Sequence, residues 1–458
     1  MKKWMLLVLS VAVTVGIAAP SPKAPSKAEA MLEGKADFRK IVQHAKDKVF
    51  PAVVYIKCLR EDNSSGKKIT GEVLGSGVII TPGGEVLTNW HVIDKAVEVR
   101  CLLSDGTHYT AKIKGSDKDT DLALLELQVP KDKKVTFSHA ELGDSTKLKE
   151  GSFVMAMGAP YGLNRSVSIG IISCVSRYLP GASEYSLWFQ TDALINPGNS
   201  GGPMVDTEGK VVGINTRGGL GMGFASPMHN DKYIIEQIRK HGKVNWSWVG
   251  LQLQPLKNFN KNIYFEGKVG VIVAETEPDS PARRAGILKQ DRILAVNGAP
   301  LTAMSQEDVP AVRRFLGKLP KGKEATFKIQ RNGKTLDLKL TPRAKGKVEG
   351  EELDCPRWNM SCKTINQFEN KTLYFIKQKG VFVFGVKYPG NASSSGIQQN
   401  DIITKIDTKP ITTLAELEAA YKELVKNVGT KHRVKINVLR NGQFRQVVLN
   451  FQRDYDKE

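Results

Sequence analysis

Gly198-Asn199-Ser200-Gly201-Gly202-Pro203 is the most informative stretch of this 458-residue chain, because it combines a nucleophile with a flexible backbone. A serine hydroxyl is a poor nucleophile unless a base removes its proton and hydrogen-bond donors stabilise the oxyanion. Glycines on both sides allow the sharp turn that directs the amides of Gly198 and Ser200 to one spot. We therefore interpret Ser200 as a candidate nucleophile and these amides as a candidate oxyanion hole. A glycine-rich turn around an incidental serine is the alternative.

A base and an acid suited to activate this serine lie upstream of it. Among the seven histidines, His91 is the one that directly follows an apolar strand, whereas the others lie in polar or helical segments. Asp121 directly precedes the apolar segment Leu122-Ala123-Leu124-Leu125. A carboxylate there needs a strong partner, and a histidine N–H is such a partner. The nearby Asp117 and Asp119 are interpreted as loop charges.

The order of these three residues distinguishes between two hydrolase folds. The pattern G-x-S-x-G around Ser200 also fits α/β-hydrolases, but that fold places its acid and histidine after the serine. Here His91 and Asp121 both precede it, and the surrounding sequence is β-rich. The order therefore matches the chymotrypsin arrangement, in which histidine is the base and aspartate orients it.

The pattern of short segments predicts a β-rich N-terminal half and a duplicated C-terminal half. Glycine-punctuated β segments run from Val53 to Val212, which is typical of an all-β barrel or sandwich. The period becomes helical near residue 235, so we expect a boundary near residue 240. Further on, Gly286-Ile287, Asp291, Ile293 and Pro300 recur 110 residues later as Gly396-Ile397, Asp401, Ile403 and Pro410. We therefore predict two copies of one domain, joined by a linker at residues 343–350.

Four motifs together resemble the HtrA/Deg family of trypsin-like serine endopeptidases. They are Thr88-Asn89-Trp90-His91-Val92, Asp121-Leu122-Ala123-Leu124-Leu125, the stretch from Gln190 to Pro203, and Gly221-Met222-Gly223-Phe224-Ala225-Ser226-Pro227. The resemblance covers nearly the whole mature chain. It implies a mainly β protein, with a chymotrypsin-like double β-barrel at 36–240, a first PDZ domain at 246–343 and a second PDZ-like domain at 350–453.

The resemblance also implies what such a chain does. It implies an exported endopeptidase of protein quality control and the stress response, which degrades unfolded or damaged proteins without a cofactor or metal. It implies a homo-trimer or a larger homo-oligomer. The expected partners are unfolded protein substrates and C-terminal peptides. The alternative function is a chaperone or peptide-binding scaffold with little proteolytic activity.

The residues around the nucleophile indicate how the enzyme is controlled and what it cleaves. Digestive-type enzymes carry an aspartate before the nucleophile to pair with a newly freed N-terminus, whereas Asn199 cannot form that ion pair. We therefore expect control by ordering of the loops at 177–187, 193–199 and 216–224. Leu194, six residues before the nucleophile, is the predicted pocket floor and favours small or medium aliphatic P1 side chains. Ile214, Asn215 and Thr216 are predicted to complete the substrate site by pairing with the substrate backbone.

PDZ modules capture extended peptides by adding a strand to a sheet edge. In the first domain, the predicted carboxylate-binding loop is Trp248-Val249-Gly250-Leu251, and the groove helix is expected to contribute Val309, Val312 and Leu316. In the second domain the comparable stretch is Trp358-Asn359-Met360-Ser361, which has no glycine. We expect peptide binding by the first domain, and for the second a role in packing or assembly is equally open.

The N-terminus predicts export. Lys2 and Lys3 precede an apolar run from Trp4 to Ala19, so residues 1–30 are interpreted as a signal peptide cleaved after residue 18 or 30. The expected location is the periplasm or cell envelope, and an uncleaved membrane anchor is the alternative. The net charge of +20 comes from scattered lysines without a nucleic-acid motif, so no nucleic-acid partner is expected. Five cysteines leave at least one thiol unpaired within the chain, and their pairing stays open.

Overall fold

The first domain begins with a closed antiparallel barrel. The computed structural model describes residues 37–159, 165–258, 261–455 and 457. Helix α1 (Phe38–Val49) leads into six strands. They are β1 (Val53–Asp62), β2 (Ile69–Ile79), β3 (Glu85–Thr88), β4 (Ala96–Leu102), β5 (His108–Asp117) and β6 (Leu122–Leu127). The barrel closes in the order β1-β2-β3-β6-β5-β4, with helix α2 (Trp90–Ile93) between β3 and β4.

A second barrel of the same size follows. Its strands are β7 (Phe153–Gly158), β8 (Ser166–Arg177), β9 (Trp188–Thr191), β10 (Pro203–Val205), β11 (Val211–Gly219) and β12 (Met222–Pro227). They close in the order β10-β11-β12-β9-β8-β7. Helix α3 (Met228–His241) then packs Ile234, Ile235 and Ile238 into the core of the first domain, so it joins the two barrels. Two closed barrels in sequence confirm the predicted chymotrypsin-like fold.

The third folded unit is a small sheet with one groove helix. Its strands are β13 (Ser247–Trp248), β14 (Leu251–Gln254), β15 (Lys257–Asn258), β16 (Ile263–Tyr264), β17 (Val271–Thr276), β18 (Arg292–Val296), β19 (Ala299–Pro300), β20 (Ala325–Arg331), β21 (Lys334–Leu340) and β22 (Arg343–Ala344). Helices α4 (Pro281–Arg284) and α5 (Val309–Gly317) complete it. The main sheet has the order β14-β17-β18-β20-β21, which leaves β14 at one end.

The fourth unit repeats this plan with one strand more in its main sheet. Its strands are β23 (Glu352–Cys355), β24 (Met360–Thr364), β25 (Val381–Val386), β26 (Ile402–Ile406), β27 (Lys409–Pro410), β28 (Arg433–Arg440) and β29 (Gln443–Asn450). Its helices are α6 (Lys371–Ile376), α7 (Asn391–Ser394) and α8 (Leu414–Lys426). The sheet order is β23-β24-β25-β26-β28-β29.

A buried ion pair explains why part of the internal repeat is polar. In the third unit Arg331 donates to both carboxylate oxygens of Asp291 at 2.7 Å, and Asp291 is 1 % exposed. In the fourth unit Arg440 donates to both oxygens of Asp401 at 2.6 and 2.7 Å. A bidentate pair of this kind is specific as well as strong. In the third unit the pair joins the start of β18 to the end of β20, and in the fourth unit it joins the start of β26 to the end of β28.

Some predictions concern features outside these units. The predicted signal peptide at residues 1–30 lies outside the described residues. No helix within the described ranges is long and apolar enough to cross a bilayer. All five cysteines lie in the described part of the chain and are free thiols, including Cys355 and Cys362 on neighbouring strands.

Candidate active site

The three predicted catalytic residues come from both barrels. His91 lies on α2, Asp121 lies directly before β6, and Ser200 lies in the turn before β10. The barrels are joined at this point, because the Ser76 N–H donates to the Ser200 carbonyl at 2.8 Å. The Ser76 hydroxyl also donates to the Gly198 carbonyl at 2.6 Å. The first barrel therefore fixes the position of the turn that carries Ser200.

His91 and Asp121 form a hydrogen-bonded pair. The imidazole Nδ1 lies 2.8 Å from Asp121 Oδ2 and 3.0 Å from Oδ1, and the His91 backbone N–H donates to Oδ1 at 3.0 Å. The Asp121 side chain is 5 % exposed, whereas that of His91 is 38 % exposed. Asn89 Nδ2 donates to the Asp121 carbonyl at 2.9 Å and fixes the backbone there. The carboxylate is thus held against one ring nitrogen, and the other edge of the ring faces solvent.

Asp121 adopts a backbone conformation that L-residues rarely take. Its φ is +58°, in the left-handed region, where aspartate is tolerated better than most residues. This turn ends the loop and begins β6, whose residues Leu122–Leu125 are fully buried. The buried strand therefore anchors the carboxylate from one side, and the Asn89 bond anchors it from the other.

Ser200 makes no hydrogen bond to His91 among the described residues. Its hydroxyl donates instead to the Thr216 carbonyl at 2.8 Å. Thr216 is itself fixed, since its hydroxyl accepts from Asn89 Nδ2 at 3.2 Å. The serine hydroxyl is therefore directed to β11 and not to the base.

The turn before Ser200 leaves two backbone amides without a hydrogen-bond acceptor among the described residues. Asn199 N–H donates to the Asn196 carbonyl at 2.9 Å, and Gly198 has φ +98°, as a type II turn requires at its third residue. No acceptor within the described residues engages the amides of Gly198 or Ser200. Gly201 has φ +85°, and a Cβ there would lie 2.1 Å from the Ser76 carbonyl oxygen, so only glycine fits.

Asn199 is buried directly behind this turn. It is 4 % exposed, and its Oδ1 has no hydrogen-bond partner among the described residues. A neutral amide tolerates such a position far better than a charged carboxylate, because burying an unpaired charge is much more costly. The expectation that control does not depend on an ion pair at this position stays a prediction.

Two of the predicted substrate-site residues are already paired within the protein. Ile214 pairs with Pro203 on one side and Ser226 on the other. The Asn215 N–H donates to the Gly202 carbonyl at 2.9 Å, and its carbonyl accepts from Gly201 at 2.7 Å. The prediction that Ile214 and Asn215 pair with a substrate backbone is therefore wrong, since their backbone groups are not available. The exposed residues of β11 begin at Arg217, next to Thr216.

Leu194 lies near the nucleophile but is not enclosed. Its side chain is 58 % exposed, and its carbonyl accepts from the Ser168 hydroxyl at 2.7 Å. The neighbouring Ile195 is 6 % exposed and lies against Gly223 of β12. The assignment of Leu194 to the substrate pocket stays a prediction. In a complex, the substrate side chain itself would have to pack on Leu194 and shield it from solvent.

Asp117 and Asp119 are not the free loop charges that the sequence suggested. Asp117 is 7 % exposed and accepts from Trp246 Nε1 at 3.2 Å, and burial, with the nearby Asp119 charge, raises its pKa to about 7. Asp119 pairs with Lys345 at 2.7 Å. The partners lie more than 120 residues away, so a local sequence pattern could not reveal them.

The predicted carboxylate-binding loop lies at the end of the third unit's sheet. Gly250 has φ +75°, and a Cβ there would lie 2.1 Å from Ser280 Cβ, so the position requires glycine. The Val249 carbonyl accepts from Ala282 at 3.0 Å, which fixes the loop. Trp248 and Leu251, at the ends of the loop, belong to β13 and β14.

A cavity of about 580 Å³ lies along this loop and β14. Leu316 of α5 lines it as predicted, whereas Val309 and Val312 pack into the core of the unit at 1 % and 4 % exposure. Residues 181–185 of the first domain line its other side. Val348, Phe368 and Glu369 also line it, so the cavity lies between the groove of the third unit, the fourth unit and the 177–187 loop.

Comparisons with known proteins agree with this architecture. The model of the trypsin-like peptidase domain matches residues 75–214, and that of the PDZ domain matches residues 247–341 and 366–451. A probable periplasmic serine endoprotease, DegP-like, from Marinomonas sp. (strain MWYL1) is 34 % identical over 380 residues, which cover 81 % of this chain and 77 % of that protein. The corresponding protein of Pseudomonas putida (strain F1) is 36 % identical over 386 residues, covering 81 % and 77 %.

A solved structure supports the same conclusion. The HtrA-type protease AlgW with a decapeptide has a TM-score of 0.57 and 29 % identity, and the match covers 67 % of this chain and 99 % of that chain. The predicted enzyme class and export from the cytoplasm are thereby confirmed. This chain belongs to the HtrA/Deg family of periplasmic serine endoproteases, with a trypsin-like peptidase domain followed by two PDZ domains.

Proposed function

We propose that this enzyme degrades unfolded or damaged periplasmic proteins through an acyl-enzyme formed on Ser200, with His91 as the base and Asp121 as its positioning partner. The observation that supports this most is the pairing of the His91 ring with a nearly buried carboxylate at 2.8 Å. A carboxylate at Nδ1 fixes the proton on that nitrogen and leaves Nε2 free to accept one. The imidazole is thus oriented to act as a general base towards the Ser200 hydroxyl.

Acylation requires one rotation of the nucleophile. Ser200 leaves the Thr216 carbonyl by rotating about its Cα–Cβ bond and then donates to His91 Nε2. The oxygen attacks the substrate carbonyl as its proton passes to His91, and the oxyanion accepts from the amides of Gly198 and Ser200. The protonated His91 gives that proton to the leaving amine, which departs. Water then attacks the ester carbonyl as its proton passes to His91. His91 returns this proton to the Ser200 oxygen as the acyl–oxygen bond breaks, which releases the acid product and regenerates the Ser200 hydroxyl.

The architecture favours extended substrates over folded ones. The strand edge at Arg217–Gly219 is exposed beside the catalytic turn, and an extended peptide is the partner that such an edge accepts. Strand β14 is the end strand of its sheet and lines the cavity beside the first PDZ domain's groove, which is suited to the exposed ends of chains. Unfolded proteins supply both kinds of segment, whereas compact native proteins supply few.

Hydrolysis of an unfolded protein tests this function directly. The chain beginning at residue 31 should cleave reduced casein, and Ser200→Ala should lose the activity by several orders of magnitude. Mass spectrometry of the products should show cleavage after valine, alanine or isoleucine if the apolar pocket at Leu194 is correct. Activity retained in Ser200→Ala would refute the mechanism, and cleavage after lysine or arginine would refute the pocket.

The bond between Ser200 and Thr216 favours a second function as a holdase, because the nucleophile is turned away from its base. Ser200→Ala should then suppress aggregation of unfolded citrate synthase as well as the parent does. Loss of that effect in the variant would exclude a separate holding function. The homo-trimer or larger homo-oligomer is likewise a proposal, and light scattering on the purified chain would measure it.

A further inference from the structure

The two PDZ domains use equivalent strands at their ligand edges. Leu251 pairs with Thr276 at the start of β14, and Met360 pairs with Val386 at the start of β24. Thr276 and Val386 are separated by the 110-residue offset of the repeat. The preceding residues, Gly250 and Asn359, both have a positive φ, +75° and +55°. Strand β24 is therefore the counterpart of β14, the strand that lies beside the groove in the first domain.

The outer edge of this strand differs between the two domains. Strand β14 is the terminal strand of its sheet. Strand β24 pairs on its outer side with β23 in antiparallel register over all four residues of β23, from Glu352 opposite Lys363 to Cys355 opposite Met360. An added antiparallel strand at this edge is how PDZ domains hold their peptides. A segment just after the predicted linker, at the start of the second PDZ domain, thus takes the place of a ligand.

The side chains of β23 fill the groove as a ligand would. Cys355 is 0 % exposed and belongs to one core cluster with Leu417, Ala420 and Leu424 of the groove helix α8. Direct contacts join β23 to both α8 and β24. The strand therefore lies between the helix and the sheet, with its C-terminal residue in the apolar part of the groove.

The other end of β23 is held by ion pairs. Glu352 contacts Lys363 of β24 at 3.1 Å and Lys95 of the peptidase domain at 2.9 Å. Lys363 is 3 % exposed on its side chain and also pairs with Glu369 at 2.5 Å. Ion pairs this well shielded are weakened less by solvent than exposed pairs. When β23 lies in the groove, the Glu352–Lys95 ion pair therefore also attaches the second PDZ domain to the peptidase domain.

We propose that Glu352–Cys355 is an intramolecular ligand that closes the groove of the second PDZ domain to outside peptides. Only the first PDZ domain then recruits chain ends. A short tether gives the strand an effective concentration of about 1 mM. An outside peptide that binds the empty groove with a Kd of about 10 µM must displace this strand first. Its apparent Kd therefore rises by about 100-fold, the ratio of the effective concentration to that Kd.

Fluorescence anisotropy on the full chain tests this proposal. The background carries Ser200→Ala to prevent cleavage and Gly250→Ala to disable the first PDZ loop. The probe is a fluorescein-labelled peptide that reproduces residues 348–355 with valine as its last residue. In the test variant β23 is replaced, at constant length, by Glu352→Gly, Leu353→Ser, Asp354→Gly and Cys355→Ser. A matched control places the same four residues in the exposed loop at 131–134.

We expect the test variant to bind the probe about 100-fold more tightly than the background chain, and the loop control to behave as the background does. Equal binding by the background and the test variant would overturn the proposal. Hydrogen–deuterium exchange of the unmodified chain is a second test of whether β23 occupies the groove, and it does not depend on how the variant folds. Amides of 353–355 should exchange as slowly as those of β24, and exchange as fast as in the 131–134 loop would overturn it.

Discussion

Asp121→Asn isolates the step that gives His91 its function. In the structure Asp121 accepts twice from His91, from the backbone N–H at 3.0 Å and at the ring Nδ1 at 2.8 Å. The asparagine oxygen can keep the backbone bond, which places its NH₂ group against Nδ1. Two donors then face each other unless Nδ1 loses its proton. The ring therefore adopts the other tautomer, with the proton on Nε2, and cannot accept the proton of Ser200.

The expected loss follows from this tautomer change. Triads that lose the carboxylate while keeping their geometry slow by about 10⁴-fold. At about 1.36 kcal/mol for each tenfold change, the barrier rises by about 5.4 kcal/mol. The melting temperature should change little, because the amide replaces the carboxylate at nearly equal volume and a buried charge is removed.

The assay is the initial rate of hydrolysis of a quenched fluorescent peptide with valine at P1, measured as kcat/KM. Asp132→Asn, in the exposed 131–134 loop, is the matched control and should keep the parental rate. Thermal unfolding followed by circular dichroism establishes that both variants are folded. A folded Asp121→Asn enzyme that kept more than about a tenth of the activity would refute the role assigned to this residue.

Three further predictions concern other sites. Gly201→Ala should abolish hydrolysis and lower the melting temperature, since its Cβ would lie 2.1 Å from the Ser76 carbonyl oxygen; a peptide-hydrolysis assay and circular dichroism measure both. Gly250→Ala should prevent binding of a C-terminal peptide to the first PDZ domain while preserving hydrolysis of a short peptide, because its Cβ would meet Ser280 Cβ at 2.1 Å; anisotropy measures the binding. Burial raises the pKa of Asp231 from 3.8 to about 7. Folded Asp231 thus keeps a proton that the unfolded chain has released, so stability falls as pH rises from about 4 to 7, and Asp231→Asn should reduce that slope in urea titrations.

Each of these three predictions has an opposing outcome. An active Gly201→Ala enzyme would mean that the turn can move away from the first barrel. Unchanged peptide affinity in Gly250→Ala would move the ligand site elsewhere. An identical pH slope in Asp231→Asn would show that Asp231 is ionised in the folded state at neutral pH.

The peptidase fold was predictable, and the three site residues could be proposed, because their signals are local. His91 and Asp121 each lie at the end of an apolar strand, and the glycines around Ser200 mark a turn with unusual backbone angles. Strand periodicity and turn residues depend on near neighbours, so the sequence alone displays them. The proposed roles of the two free amides follow from the same local pattern.

The errors arose where the outcome depends on distant pairing. Asn215 was assigned to the substrate as part of the strand segment Ile214–Thr216, which was predicted to pair with the substrate backbone. Only the closed barrel shows that residues of the turn at 201–203 already pair with this strand segment. Asp117 resembled a loop charge until Trp246, 129 positions later, was found to donate to it. Neither pairing has a local sequence signature.

The segment between the PDZ domains shows the same limitation and has a mechanical consequence. Its lysines and glycines predicted a spacer, yet Lys345 pairs with Asp119 at 2.7 Å and is only 9 % exposed on its side chain. Further along, Glu349 pairs with Lys118, and Glu352 pairs with Lys95.

The peptidase-domain partners in these pairs are Asp119, Lys118 and Lys95. Each lies within four residues of His91 or Asp121 along the chain. A shielded ion pair resists both solvent and salt better than an exposed one. Withdrawal of β23 from its groove would therefore pull on the two loops that position the base and its carboxylate. Variants that loosen the linker should for this reason alter kcat as well as peptide binding, although these ion pairs are made to sequence neighbours of His91 and Asp121 and not to the triad itself.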